Sequence, residues 1–322
     1  VGVVGVGSLG FHHARLLAQL DGAHLVGVWD TNAARLQEVT AQLGIPAAAS
    51  LDALLAQAAA CIIAVPTVAH EAVAVAALEH GVHVLIEKPI APSLDAADRI
   101  LDAARRSAAR VQIGHVERFN GALRAGEPYL QAPLFVECHR LAPFGPRGTD
   151  VAVVLDLMIH DLDLVLSLMK RPVTSVAAVG VPVLTRSPDI ANARLEFEGG
   201  GVANLTASRV SLERMRKIRF FQRSGYISLD LAAGTGEYLR IRDGVVFEPG
   251  VPLAATRLEE IIEHVPLRSD GQEPLRVELE RFISAVRGEA EIAVTGADGR
   301  RALAVALEIV RCIESHMAAS QS

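Results

Sequence analysis

Six residues near the start of the chain, Gly5-Val6-Gly7-Ser8-Leu9-Gly10, constrain its fold more than any other segment. They fit the pattern G-x-G-x-x-G, follow the apolar run Val1-Gly2-Val3-Val4 and open a helical pattern over residues 10–20. In that context each glycine has a physical reason. Gly5 permits a tight turn, Gly7 lets a pyrophosphate approach the backbone, and Gly10 lets helix and strand pack closely. The helix N-terminus, at Ser8 and Leu9, offers N–H groups and the positive end of a dipole to phosphate.

The pattern then repeats. Near-continuous apolar runs at 1–6, 25–30, 60–65, 82–87 and 110–114 read as parallel strands covered on both faces, with a shorter one near 45–48. Helical patterns fill the gaps at 33–43, 70–80 and 94–107, with Gly44 and Gly81 as stops and Ser93 as an N-cap. Such βα units predict a doubly wound parallel α/β sheet, a Rossmann domain over residues 1–118. Beyond it the order changes. A strand at 134–141 and a long helix at 151–169 precede strands at 173–183, 191–197, 202–208, 216–221 and 226–231. Glu198-Gly199-Gly200-Gly201 and Arg242-Asp243-Gly244 are turn signals between strands, and helices at 275–287 and 299–315 close the chain. Strands joined without helices predict a C-terminal α+β domain over residues 119–322 with a large, mainly antiparallel mixed sheet. With 322 residues, 51% of them hydrophobic, the chain can fill two cores of ordinary size.

Several classes are excluded. The net charge is −6 and no Lys/Arg-rich run occurs, so nucleic acid is not an expected partner. Pro66, His70, Glu71, Asp156 and His160 interrupt the longest apolar stretches, which leaves none of the roughly 20 clean residues of a membrane helix. Cys61, Cys138 and Cys312 lie far apart in apolar surroundings with no metal-ligand spacing, which predicts no metal and a reducing compartment. No basic segment with an apolar core precedes the first strand, and the expected location is the cytoplasm.

Asp30 ends the second strand, about 20 residues past the last glycine, where an acid meets adenosine ribose hydroxyls and repels a 2′-phosphate. NAD is therefore favoured over NADP, although Arg35 lies near in sequence. Oxidising an alcohol also needs a group to take the hydroxyl proton. Glu87-Lys88-Pro89 ends the fifth apolar run and puts a lysine at the ligand edge of the sheet. On the 151–169 helix, Asp156, His160, Asp163 and Ser167 recur at helical spacing and predict one polar stripe. Asp156 can orient His160 across one turn, and an imidazole so held can act as a base near neutral pH. His115, Arg118, Phe119 and Asn120 lie at the hand-over between domains, a place for substrate or packing contacts. Arg140, Arg147 and Asp150 precede the striped helix, and arginine is suited to gripping phosphate.

Together these motifs resemble the glucose–fructose oxidoreductase / inositol dehydrogenase family, Gfo/Idh/MocA. Residues 5–10, Val65-Pro66-Thr67 with His70, Glu87-Lys88-Pro89, Gly114-His115 and Asp156-x-x-x-His160 carry the resemblance over nearly the whole chain. It implies active-site roles for Lys88, Asp156 and His160. It also implies a cofactor-lining role for Pro66, Thr67 and His70 beside Glu87 and Lys88, and a sugar, cyclitol or nucleotide-sugar substrate. It implies homodimers or homotetramers packed through the open face of the large sheet. A narrower resemblance, carried by Gly114–Asn120 and residues 147–161, is to the branch of UDP-N-acetylglucosamine 3-dehydrogenases, with Gly121 in place of a proline and Ala152 in place of an acid. On that reading His115, Arg118, Asn120, Arg147 and Asp163 face the substrate, and a sugar hydroxyl, best the 3-OH of UDP-N-acetylglucosamine, meets Lys88 and His160. An NAD-dependent redox-neutral glycosidase and a non-catalytic NAD-binding sensor stay open as alternatives.

Overall fold

The computed structural model describes residues 1–145, 151–242, 245 and 258–320. The chain divides into two units, Val1–Val116 with Glu273–Ala304, and Glu117–Gln272 with Val305–Ser322. The opening segment of the first unit thus ends at Val116, where the sequence places the change of pattern at 118. The segment Glu273–Ala304 departs from the expectation, because it returns to the first unit rather than closing the second.

The first unit is built on a parallel sheet, order β2-β1-β3-β4-β5, with β1 Gly2–Val4, β2 Gly27–Trp29, β3 Ala60–Ile63, β4 His83–Glu87 and β5 Val111–Gly114. The strands are shorter than the apolar runs that announce them: β1 and β3 give up the last two residues of their runs to the following loops, whereas β4 and β5 lose only the first residue. The expected short strand is a single bridge, Val28 to Ala47. Between the strands lie α1 Ser8–Leu17, α2 Ala33–Leu43, α3 Leu51–Leu55, α4 His70–Glu79 and α5 Leu94–Ser107. The caps behave as their chemistry dictates. Asn32 and Ser93 accept backbone N–H bonds from Arg35 and Ala96, and Gly44 ends α2 in the left-handed conformation. The short helix α3, capped by Ser50, is missed by periodicity because five residues are too few to show it.

In the second unit α6 (Gly121–Gly126) precedes an eight-stranded sheet in the order β13-β12-β11-β10-β6-β9-β8-β7. Its strands are β6 Phe135–Leu141, β7 Val173–Val181, β8 Ile190–Phe197, β9 Val202–Ser208, β10 Met215–Gln222, β11 Gly225–Asp230, β12 Thr235–Ile241 and β13 Ile262–Arg268. Among these pairs β6 and β9 run parallel and the others antiparallel, the mixed sheet that was expected. Strands β12 and β13 go beyond the expectation. Their alternation is broken by Gly236, Arg240, Glu263 and Pro266. The Asp243-Gly244 part of the turn signal lies outside the described residues, as do the four residues 147–150. One sheet face buries Val136, Ala193, Leu195, Leu205, Ile218, Phe220 and Leu229 completely, and α7 (Ile159–Met169) packs on it along β6 and β9. A single helical turn, α8 (Leu258–Ile261), leads into β13.

The long helix expected at 151–169 is not one α-helix. Val154–Met158 forms a π-helical turn, in which the N–H of Ile159 reaches back to the carbonyl of Val154, and α7 begins only at Ile159.

The segment that returns to the first unit has a hydrophobic reason. Leu279, Phe282 and Ile283 join Val3, Leu16, Leu17 and Leu20 in one core cluster, so α9 (Pro274–Val286) covers α1. A Cβ at Gly299, near the start of α10 (Gly296–Ser320), would come 2.6 Å from Ile113 on β5. An amphipathic helix late in the sequence packs where an apolar face is vacant, and nothing in its own pattern says which core that is. Among the described residues no helix is long and apolar enough to cross a membrane.

Candidate active site

Every strand of the first sheet runs the same way, so the ends of β1 to β5 lie along one edge. The strand order reverses beside β1, and the crevice of such a sheet opens at that point. The three motif glycines have distinct surroundings there. Gly5 takes φ 85°, and a Cβ on it would come 2.6 Å from the carbonyl oxygen of Ala64. A Cβ on Gly10 would overlap the carbonyl oxygen of Gly5. Gly7 differs, because a Cβ there meets nothing within 4 Å. Its lack of a side chain serves no internal packing and keeps open the ground above the N-terminus of α1. No side chain caps that N-terminus, and Gly7, Ser8 and Leu9 are exposed. The arrangement fits a pyrophosphate.

Asp30 stands at the end of β2. One carboxylate oxygen accepts the Val6 N–H at 2.7 Å and the other the Asn32 N–H at 2.8 Å. The side chain is only partly buried, and its remaining lone pairs suit ribose hydroxyls. Arg35 is engaged elsewhere. Its Nε donates to the Val6 carbonyl at 2.9 Å, and it pairs with Glu38 at 2.8 Å.

After β3, Pro66 precedes a single 3-10 turn, Thr67–Ala69, with Pro66 and Val68 exposed. His70 was expected beside the cofactor ribose. It is 1% exposed, with Nδ1 2.9 Å from the Pro89 carbonyl and Nε2 3.0 Å from the Val65 carbonyl. An imidazole so enclosed joins two loops and presents no face to a ribose. Burial pushes its pKa down, against the pull of the two carbonyls and of Glu87.

Glu87 was expected to line the cofactor as well. It is buried, and Oε1 lies 2.7 Å from Nε2 of the fully buried His13 on α1. Burial raises its pKa, but the His13 hydrogen bond, the His13 charge and Lys88 outweigh that and hold the carboxyl below its ordinary value. The carboxylate braces the strand end instead of facing a ligand. Lys88 follows, partly buried, its peptide bond to Pro89 cis. His115, after β5, is 1% exposed and also belongs to the interior.

In the second unit, Asp156 lies in the π turn and His160 in the first turn of α7, both partly buried. The π turn carries Asp156, while His160, Asp163 and Ser167 keep their helical spacing within α7. Asp163 is 1% exposed, and both its oxygens take Arg118 Nε and Nη2 at 2.6 Å. Ser167 donates to the Leu164 carbonyl. The expected substrate contacts Arg118 and Asp163 therefore form a strut. Asn120 is likewise structural. It caps α6 through Ala122 N–H and donates to Glu117 and to the Leu231 carbonyl. Gly121 has its own reason, since a Cβ there would overlap Ser269 Oγ. Arg147 lies outside the described residues.

Sequence reasoning missed a buried charge cluster. Arg140, 4% exposed, clamps both oxygens of Asp161 at 2.9 and 2.7 Å and Glu117 at 2.9 Å. Burial raises the Asp161 pKa despite Arg140. The signal was present, because alternation along β6 puts Arg140 on the same face as Val136 and Cys138. A charge facing inward demands a partner. Arg140 is thus no loop arginine available for phosphate.

The chain was compared with known proteins. Residues 1–115 match the oxidoreductase family with an NAD-binding Rossmann fold, and residues 102–228 match the GFO/IDH/MocA C-terminal domain. The chain is 38% identical to UDP-N-acetylglucosamine 3-dehydrogenase of Acidithiobacillus ferrooxidans, over 98% of this chain and 97% of that one. A solved structure of that enzyme superposes with a TM-score of 0.89, covering 98% and 97% of the two chains. An inositol 2-dehydrogenase of Burkholderia lata is 29% identical over 98% of this chain and 94% of that one. The WlbA dehydrogenase from Bordetella pertussis, solved with NADH and UDP-GlcNAcA, shares the fold at a TM-score of 0.79, with 20% identity, 98% of this chain and 95% of that one being covered. With the dinucleotide cradle of its first unit and the mixed sheet of its second, the chain belongs to the Gfo/Idh/MocA family of NAD-binding oxidoreductases and is a dehydrogenase.

Proposed function

We propose that the chain oxidises the 3-hydroxyl of UDP-N-acetylglucosamine with NAD to give the 3-keto sugar nucleotide. The observation that carries this reading is the near full-length similarity to an enzyme of that name, with Lys88, Asp156 and His160 all present. NAD, when bound, takes up the hydride from the carbinol carbon. The chain's own residues do the rest. Gly7 and the N-terminus of α1 hold the pyrophosphate, and Asp30, Pro66 and Thr67 hold the ribose side. His160 takes the hydroxyl proton, with Asp156 orienting its imidazole, and Lys88 supplies positive charge against the developing alkoxide.

Incubating the protein with NAD and a panel of UDP-sugars and inositols, and following NADH absorbance, tests the reading. UDP-N-acetylglucosamine is expected to turn over, giving a product two hydrogens lighter by mass spectrometry. Turnover of inositols alone would refute the substrate.

The open face of the large sheet is the surface between copies of this chain. Phe135, Phe221 and Tyr226 touch there in a row, with ring centroids 5.5 and 4.9 Å apart, and the row is flanked by the Arg219–Glu137 pair. Sedimentation is expected to show a dimer or tetramer that Phe221→Glu dissociates. Three free thiols suit a reducing compartment, the cytoplasm.

A further inference from the structure

Lys88 sits between two buried neighbours, and each is tied to a different histidine. On one side, Glu87 binds His13 through Oε1 and accepts the backbone N–H of Lys88 at 3.3 Å through Oε2. Its carboxyl group occupies the space that a side chain at position 114 would need, since a Cβ on Gly114 would lie 3.1 Å from Cδ. His13 has no exposed surface, and its Nδ1 meets no hydrogen-bond partner among the described residues. Facing a carboxylate oxygen at 2.7 Å, Nε2 is the ring nitrogen that donates, and Glu87 accepts. On the other side, the Pro89 carbonyl meets His70 Nδ1, and His70 Nε2 meets the Val65 carbonyl. His13 belongs to α1, whose N-terminus carries the glycine loop. His70 opens α4 directly after the Thr67–Ala69 turn.

We propose, resting on the roles given above to Lys88 and to the loops at the ends of β1 and β3, that His13 and His70 are positioning residues. They fix the backbone of Lys88 from both sides, each from an element that also holds cofactor. Cofactor seating and the placement of the lysine are then one mechanical unit. His13 acts on the lysine alone through Glu87. His70 acts on the lysine through Pro89 and on the cofactor loop through Val65. Displacing a reacting group by an ångström costs on the order of 100-fold in rate.

The test reads NADH affinity separately from turnover. Trp29, the single tryptophan, stands next to Asp30, so energy transfer from it reports bound NADH without any reaction. His70→Asn keeps a donor at the Nδ1 position for Pro89 and loses the reach to Val65. The expected result is NADH affinity lower by about tenfold with kcat for UDP-N-acetylglucosamine near wild type. His70→Gln reaches Val65 instead, and the expected result is kcat lower by about 10- to 100-fold with NADH affinity held. His13→Leu is expected to lower kcat by a similar factor with NADH affinity unchanged, and His13→Gln, which keeps a donor for Glu87, to restore it. Should His13→Leu not fold, His13→Asn, too short to reach Glu87, takes its place. The two His70 variants behaving alike in both readouts, or His13→Gln being no better than its apolar or shorter counterpart, overturns the proposal. Undiminished kcat in Lys88→Ala would instead overturn the role of Lys88, while the NADH arm of the His70 pair is read without turnover.

Discussion

The two units divide their polar groups differently between exposed positions and internal pairs. At the strand ends of the first unit, the groups that suit a ligand are backbone N–H groups and partly exposed side chains. Gly7, Ser8, Leu9 and Pro66 are exposed, and Asp30 keeps lone pairs to spare. Around α7 in the second unit, Arg140, Glu117, Asp161, Arg118, Asp163 and Asn120 are largely consumed by one another. Asp156 and His160 are only partly buried. Part of a unit's polar inventory is chemistry and part is scaffold, and burial with a partner is what separates them.

That contrast can be broken at several points. The largest effect is expected where chemistry resides. Lys88→Ala and His160→Ala should each lower kcat by about 100- to 10,000-fold, with NADH affinity by Trp29 fluorescence retained. Next comes the scaffold. Arg140→Leu leaves Asp161 and Glu117 buried without their cation and should destabilise the fold by about 3–5 kcal/mol in chemical denaturation. A stability near wild type would mean that the cluster is hydrated. The glycines supply a smaller and cleaner comparison. Gly7→Ala meets no atom, so melting should hold while NADH affinity drops by about tenfold or more, a loss of roughly 1.4 kcal/mol. Gly10→Ala should lower the melting temperature as well, because its Cβ runs into Gly5.

The smallest effect is in pH. Burial depresses the His70 pKa, so the unfolded chain binds its proton first as pH falls. Stability should therefore drop as pH falls below about 6.5, and His70→Asn should flatten that slope relative to wild type. Equal slopes in the two proteins would remove His70 as the cause.

The first unit was legible because its signals are local. The G-x-G-x-x-G pattern, Asn32, Ser93, Gly44 and the apolar runs each act within a few residues, and the elements they announce formed within a few residues of their expected ends. Legibility failed at Glu87 and His70. Polar residues beside Lys88 look like ligand contacts until their partners, His13, Val65 and Pro89, are known. It failed again at Arg118, Asn120 and Asp163, where the partner of Asp163 lies 45 positions away and one partner of Asn120 lies 111 away. No periodicity announces the π turn at Val154–Met158, which carries Asp156.

The parallel sheet, the glycine loop ahead of α1 and the candidate positions Asp30, Lys88, Asp156 and His160 can be read from the amino-acid order alone. Short-range sterics and backbone hydrogen bonding suffice for the fold signals among these. Tertiary structure alone decided which charges pair, which histidines are sealed in the interior and which core the late helix α9 covers. Pairing and burial depend on what the rest of the chain brings together, and that information is spread over hundreds of positions rather than written at any one of them.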